Sequence, residues 1–259
     1  MKSLWIGTSW KMTKTMAEGL SYVETLLSQL SVPAACSVFL AVPFTHLWKL
    51  REILEGSPIL LGAQNMHWED EGPYTGEISP KMLAEIGIDF VEVGHSERRS
   101  AFGETDVSVN RKVLAALTKG ITPLVCVGET GDERAHGLTE EVIARQVAIA
   151  LQDMDPADAG RVWIAYEPVW AIGAGGTPAT PEYADRAHAM IRSRLDQRFG
   201  RPTAGRIPIL YGGSVDRDNA PILVAQPHVD GLFIGRSAWE VTSFLEIISR
   251  SVEAAATEP

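Results

Sequence analysis

Eight times along the chain a short apolar run is followed by a polar turn and then by a segment with helical spacing. The runs are Leu4–Gly7, Val38–Val42, Ile59–Ala63, Phe90–Val93, Thr122–Val127, Val162–Tyr166, Ile207–Tyr211 and Gly231–Ile234. They are short, apolar or β-branched, and do not alternate cleanly with polar residues. Strands buried on both faces of a parallel sheet read this way. Between them, Met16, Leu20, Val23, Leu27 and Leu30 fall on one helical face. Ser79-Pro80 and Thr180-Pro181-Glu182 carry the signal of an N-cap followed by Pro, and Ala187, Ile191 and Leu195 continue an apolar stripe. Gly120 and Gly200 fall just past helical stretches, where a left-handed residue is wanted.

Strands alternating with helices leave two architectures, a closed (β/α)8 barrel and a doubly wound open sheet. An open dinucleotide-binding sheet should place G-x-G-x-x-G after its first strand. Here that position reads Gly7-Thr8-Ser9-Trp10-Lys11-Met12, and the Gly-rich Gly173-Ala174-Gly175-Gly176 follows the sixth strand instead. The pattern predicts an α/β protein of the (β/α)8 TIM-barrel type. The length of 259 residues suits one such barrel. No linker-like tract or charge block interrupts the chain, so residues 1–259 are expected to form one domain.

Composition removes other classes. A net charge of −10 disfavours a general nucleic-acid binder, though not a local cationic pocket for a small anion. No apolar run is long enough to span a bilayer, and Met1 to Trp10 lacks the basic start and apolar stretch of a signal peptide. The two cysteines, Cys36 and Cys126, give no metal-ligand spacing, and two thiols suit a reducing cytoplasm.

In a barrel of this kind the chemistry lies at the C-terminal strand ends. The first end offers Ser9 and Lys11, the fourth Gly94-His95-Ser96-Glu97-Arg98, and the sixth Tyr166-Glu167-Pro168-Val169-Trp170. The seventh offers Gly212-Gly213-Ser214 and the eighth Gly235-Arg236-Ser237. A fixed cation, an imidazole at a helix start, a carboxylate base and Gly-containing turns that bind phosphate through N–H groups suit one reaction. That reaction is proton abstraction next to the carbonyl of a small phosphosugar, which needs no cofactor or metal.

These residues carry a resemblance. Trp10-Lys11-Met12, Gly94-His95-Ser96-Glu97-Arg98-Arg99, Tyr166-Glu167-Pro168-Val169-Trp170-Ala171-Ile172-Gly173 and Tyr211-Gly212-Gly213-Ser214-Val215 resemble the triosephosphate isomerase family, as do Gly62-Ala63-Gln64-Asn65 and Thr75-Gly76-Glu77-Ile78-Ser79. The resemblance runs in order along essentially the whole chain. It implies that Glu167 shuttles a proton between adjacent carbons, that a neutral His95 polarises the carbonyl, and that Lys11 stabilises phosphate and enediolate. It implies that Glu97 and Ser9 support this network and that N–H groups of Gly173, Ser214, Gly235 and Arg236 hold phosphate. The segment Pro168–Ala179, with Pro168, Val169, Trp170, Gly175, Gly176, Thr177 and Pro178, would close as a lid. The loop His67–Ser79 would enter a second copy of the chain, its tip Thr75 meeting the partner near Ser9, so a homodimer is implied.

Four stretches depart from the common family pattern. Ser9 stands where the family usually has Asn. The lid reads Gly173-Ala174-Gly175-Gly176-Thr177-Pro178-Ala179, without the usual Lys and one residue longer. The eighth strand ends Gly235-Arg236-Ser237-Ala238-Trp239, and Met66-His67-Trp68 differs too. The stretches 7–12, 63–68 and 231–239 together resemble the L-erythrulose-1-phosphate isomerase branch, which acts in erythritol breakdown. Its four-carbon substrate differs from the triose phosphate by a hydroxymethyl group. Ser9 and the rebuilt lid are ways to make that room. The triose phosphate stays the alternative substrate.

Plainer readings stand beside these. His46, His67, His136, His188 and His228 read as structural or solvated. Lys11 alone would be a surface lysine, the Gly turns alone merely tight turns. Arg236 reads as a substrate contact or as a solvated helix-start residue. Glu104 reads as structural and Cys126 as a buried small hydrophobe. A catalytically silent phosphometabolite-binding barrel would have lost Lys11, His95 or Glu167, and all three are present. A Schiff-base aldolase would want a lysine within a strand, and none of the eight runs has one.

Overall fold

The computed structural model describes residues 3–173 and 176–256. Eight parallel strands close into a barrel in sequence order: β1 Leu4–Ser9, β2 Cys36–Val42, β3 Leu60–Ala63, β4 Phe90–Val93, β5 Thr122–Val127, β6 Trp163–Tyr166, β7 Ile209–Tyr211 and β8 Gly231–Ile234. Closure pairs Trp5 with Gly231 and Thr8 with Ile234 across β1 and β8. Each strand lies within a few residues of the apolar run that predicts it. No helix among the described residues is long and apolar enough to cross a membrane.

Side chains alternate in and out along each strand. Val38, Leu40 and Val42, Val91 and Val93, Val125 and Val127, and Ile164 and Tyr166 point outward into the layer shared with the helices. Phe39, Phe90, Leu124, Cys126, Trp163, Ala165, Leu210 and Phe233 point inward and fill the barrel. Phe39 meets Phe90 edge-on at 5.3 Å and stacks on Phe233 at 5.8 Å. These rings fit because two strands carry glycine beside them. A Cβ on Gly7 would lie 2.1 Å from the Phe39 ring, and one on Gly62 2.4 Å from the Phe90 ring. The interior is thus a packed core, with the cleft confined to its upper, C-terminal rim.

The helix starts form as the sequence predicts. Ser79 and Thr180 cap the helices Pro80–Ile86 and Pro181–Phe199 by accepting from Met82 N–H and Tyr183 N–H. Gly120 and Gly200 have φ of 77°. The first helix, Met16–Gln29, is rotated relative to expectation. It buries Gly19, Tyr22, Val23 and Leu26, while Leu20, Leu27 and Leu30 only flank the core. The reason is Gly19, where a Cβ would come 2.6 Å from the His46 ring, so this helix approaches its neighbour along the glycine.

Candidate active site

Strand ends bring the predicted groups together. β1 ends in Ser9, and Trp10 then leads to Lys11, which adopts φ of +52°, a left-handed conformation costly for a side-chain-bearing residue. Neighbours enforce this turn. Gln64 donates to the carbonyls of Lys11 and Ala41, and Trp239 Nε1 donates to Ser9 O at 3.1 Å. The Lys11 ammonium then reaches Glu97 Oε1 at 2.6 Å. Glu97 is half exposed, so this pair adds little stability and serves to aim the ammonium.

His95 is the N-cap of the short helix Ser96–Phe102, and Glu97 N–H donates to its Nδ1 at 3.1 Å. A ring nitrogen that accepts carries no proton. The remaining N–H of the neutral ring is therefore Nε2, which faces the cleft. It lies 3.4 Å from Glu167 Oε1. Glu167 continues β6: its N–H bonds Val127 O, and its other carboxylate oxygen accepts Ser96 N–H at 3.1 Å. Gly212 makes room for it, since a Cβ there would sit 3.0 Å from Glu167 Cγ.

The cleft above these groups is lined by Gly173, Ser214, Gly235 and Arg236 at one end, with Ser9, Lys11, His95, Glu97 and Glu167 at its centre. Arg236 is exposed at the start of a one-turn helix, Arg236–Ala238, and makes no ion pair among the described residues. A second cavity adjoins this cleft across Ser9, Lys11, His95 and Glu97, which line both, and its other lining residues include Met12, Phe44, Gln64, Asn65, Glu92 and Phe102.

The lid segment is anchored at its start. Pro168 is buried, and Val169–Ala171 form a 3-10 turn. Trp170 Nε1 donates to Glu129 Oε1 at 2.7 Å, beside donations to the same carboxylate from Tyr166 and Tyr183. Arg134 stacks on the Trp170 ring at 3.7 Å. Thr177 N–H returns to Trp170 O, Gly176 packs tightly on Ala171, and Thr177 and Pro178 are exposed. Gly175 lies outside the described residues. Thr75 is exposed on its loop and does not line the cleft of its own chain.

The residues read as structural have structural partners. His67 is sandwiched by Trp68 and Tyr74, and His188 is buried between Tyr166 and Tyr211. His46 bonds Thr15 O, His136 meets Asp132 O, and His228 pairs with Asp185. Glu104 is buried against Lys112 and Arg98. Cys126 is buried, and burial holds its thiol well above the usual range.

Two acidic residues were not anticipated. Glu129 follows β5, and the rule that strand ends carry function would have found it. Glu92 lies inside β4 and is the sole charged residue in the eight strands. It points inward like Phe90 but one layer higher, and is 1 % exposed. Ser9 Oγ donates to its Oε2 at 3.1 Å, and His95 Nε2 lies 3.9 Å from its Oε1. Burial lifts its carboxyl to about 7, opposed by the nearby His95 and reinforced by Glu167. Glu92, His95 and Glu167 bring ligand-type atoms within 4.8 Å of one another, a set a divalent cation could use and one that also suits proton transfer.

Comparison with known proteins agrees with this geometry. A model of the family described as triosephosphate isomerase matches residues 4–251. A Rhizobium etli protein named L-erythrulose-1-phosphate isomerase is 47% identical over 95% of this chain and 92% of its own length. Proteins of the same name from Rhizobium meliloti and Brucella abortus are each 46% identical, over 97% and 96% of this chain and 98% and 97% of their own.

Proposed function

This chain belongs to the triosephosphate isomerase family, and we propose that it is a sugar-phosphate isomerase converting L-erythrulose 1-phosphate to D-erythrulose 4-phosphate. The convergence of Glu167, the Nε2 face of a neutral His95 and the Lys11 ammonium on one cleft carries this reading. Glu167 takes the proton from the carbon beside the carbonyl and returns it to the neighbouring carbon. His95 Nε2–H and Lys11 stabilise the oxygens of the cis-enediolate, and His95 passes the hydroxyl protons between them. A neutral imidazole suits this task because its Nδ1 accepts the Glu97 N–H, which leaves Nε2–H to donate to the substrate.

Gly173, Ser214, Gly235 and Arg236 hold the phosphate through backbone N–H groups, with the Arg236 guanidinium added. The lid hinged at Pro168 and Trp170 closes over the intermediate, with Gly176, Thr177 and Pro178 in its moving part. Closure keeps water from the enediolate and suppresses phosphate loss. Ser9 and Glu97 hold the Lys11–His95 pair in place. The four-carbon substrate is favoured by the names of the relatives and by Ser9, which leaves space beyond the reacting carbons. Residues 1–259 act as one catalytic domain.

The protein works as a homodimer in a reducing cytoplasm, within erythritol breakdown. Met12 is 97% exposed and Phe102 69% exposed beside the cleft, an apolar patch that the partner's loop, led by its Thr75, would cover. A dilution series under size-exclusion chromatography that gives an active monomer overturns the dimer. Parallel assays with L-erythrulose 1-phosphate and glyceraldehyde 3-phosphate test the substrate. Turnover of the triose at ordinary family rates, with the tetrulose ignored, overturns it.

A further inference from the structure

The Glu92 carboxylate is expensive where it stands. A charge buried inside a barrel is retained against a large desolvation penalty, which a neutral side chain of similar size avoids. It is also sparsely bonded. Above about pH 7 the group is ionised and offers about four acceptor positions. The hydrogen bonds it receives among the described residues are from the Ser9 hydroxyl and, at 4.0 Å, from the weak Cys126 thiol. Oε1 therefore has acceptor capacity that no ordinary N–H or O–H fills.

Its position gives that capacity a use. Strand alternation sets Glu92 at the top of the barrel interior, bonded to Ser9 and 3.9 Å from His95, where it lines the cavity that adjoins the cleft on the far side of Ser9 and Lys11. A ligand with its phosphate on Ser214, Gly235 and Arg236, and its reacting carbons over Lys11, His95 and Glu167, points its remaining carbon at Ser9 and Glu92. Resting on the isomerase reading above, we propose that Glu92, steadied by Ser9, is the specificity-determining acceptor for a hydroxyl on the substrate carbon farthest from the phosphate. The small Ser9 side chain gives the hydroxymethyl group its volume, and Glu92 gives its oxygen a partner. A triose phosphate has no atom there, and leaves the carboxylate unserved.

The test compares the full-length protein with Glu92→Val and Glu92→Gln. One readout is kcat/KM on L-erythrulose 1-phosphate against dihydroxyacetone phosphate. The other is calorimetric binding of two unreactive polyol phosphates, erythritol 4-phosphate and glycerol 3-phosphate. Loss of one hydrogen bond to a charged acceptor predicts that Glu92→Val lowers both four-carbon to three-carbon ratios by about 10- to 100-fold. Glu92→Gln, which keeps a carbonyl acceptor, should retain part of the preference. Both variants exchange a buried carboxyl for a neutral group, so unchanged or raised melting temperatures certify the fold.

If the wild type turns over the tetrulose phosphate and neither ratio moves in Glu92→Val, this inference fails while the isomerase reading stands. If both substrates slow equally and the polyol ratio is unchanged, Glu92 acts on the His95–Glu167 pair and the inference again fails. If the wild type does not turn over the tetrulose phosphate, yet loses its polyol preference in Glu92→Val, the substrate assignment falls and the recognition role survives.

Discussion

The two ends of the cleft are built from different materials. The proposed phosphate end is lined by turns at Gly173, Ser214, Gly235 and Arg236, where backbone N–H groups would meet any phosphate regardless of the rest of the ligand. The adjoining cavity, the proposed far end, is lined by side chains, Ser9, Glu92 and Gln64 among them. Between them stand Lys11, His95 and Glu167. A backbone-built grip and a shared catalytic centre can stay fixed while substitutions at the far end change which carbon skeleton fits. On the proposal above, substrate choice is decided where side-chain identity matters.

The largest expected effect lies at the centre. Glu167→Gln removes the base and should lower kcat by about 10²- to 10⁴-fold on either substrate. Glycerol 3-phosphate binding, followed by calorimetry, should change little. An unchanged kcat would remove Glu167 from its role, and lost binding would mean that the centre and the phosphate end are not separable.

Next comes the cost of the side-chain-built end. The Glu92 carboxyl is raised from 4.5 to about 7. The folded chain thus keeps this proton where the unfolded chain has released it. The contribution to stability is fully present below pH 4.5 and is lost as pH rises through about 7. The difference is on the order of 3 kcal/mol. Relative to wild type, Glu92→Gln should gain stability across that window and hold the gain above it. Denaturant titrations at a series of pH values measure this, and a pH-independent difference would contradict it.

Smaller effects belong to the phosphate end. Trp170→Phe deletes the N–H donor to Glu129 and should cost ~1.5 to 3 kcal/mol of lid anchoring. Stability in urea and kcat should both fall, and a fall in neither would mean that the lid is held by Arg134 and packing alone. Arg236→Ala should raise KM by about tenfold or less, because an exposed guanidinium is screened. The change should be equal for three- and four-carbon substrates. An effect confined to one of them would break the division between the two ends.

The asymmetry between the ends also explains what could be read along the chain. Turns such as Gly212-Gly213-Ser214 and the Glu167 segment are contiguous, so their chemistry is visible as short motifs. Glu129 was open to the same reasoning, being a carboxylate just past β5. Glu92 is different. It is a single acid in a four-residue run whose other members, Phe90, Val91 and Val93, are apolar, and its hydrogen-bond partner Ser9 lies on another strand. Helical spacing likewise predicted a stripe through Met16, Leu20, Val23, Leu27 and Leu30, of which only Val23 is buried, because Gly19 allowed a closer approach to His46 and turned the helix.

Periodicity, caps and strand-end residues in the sequence determine the eight-stranded barrel, the rim on which the candidate site lies, and the residues proposed for proton transfer. These follow from local geometry, since a strand's period of two and a cap's hydrogen bond need only near neighbours. The tertiary structure alone decided the tautomer of His95, the anchoring of Trp170 and the convergence of Ser9, Glu92 and His95. Those depend on contacts between segments as far apart as 83 residues, and only closure of the barrel brings them within reach.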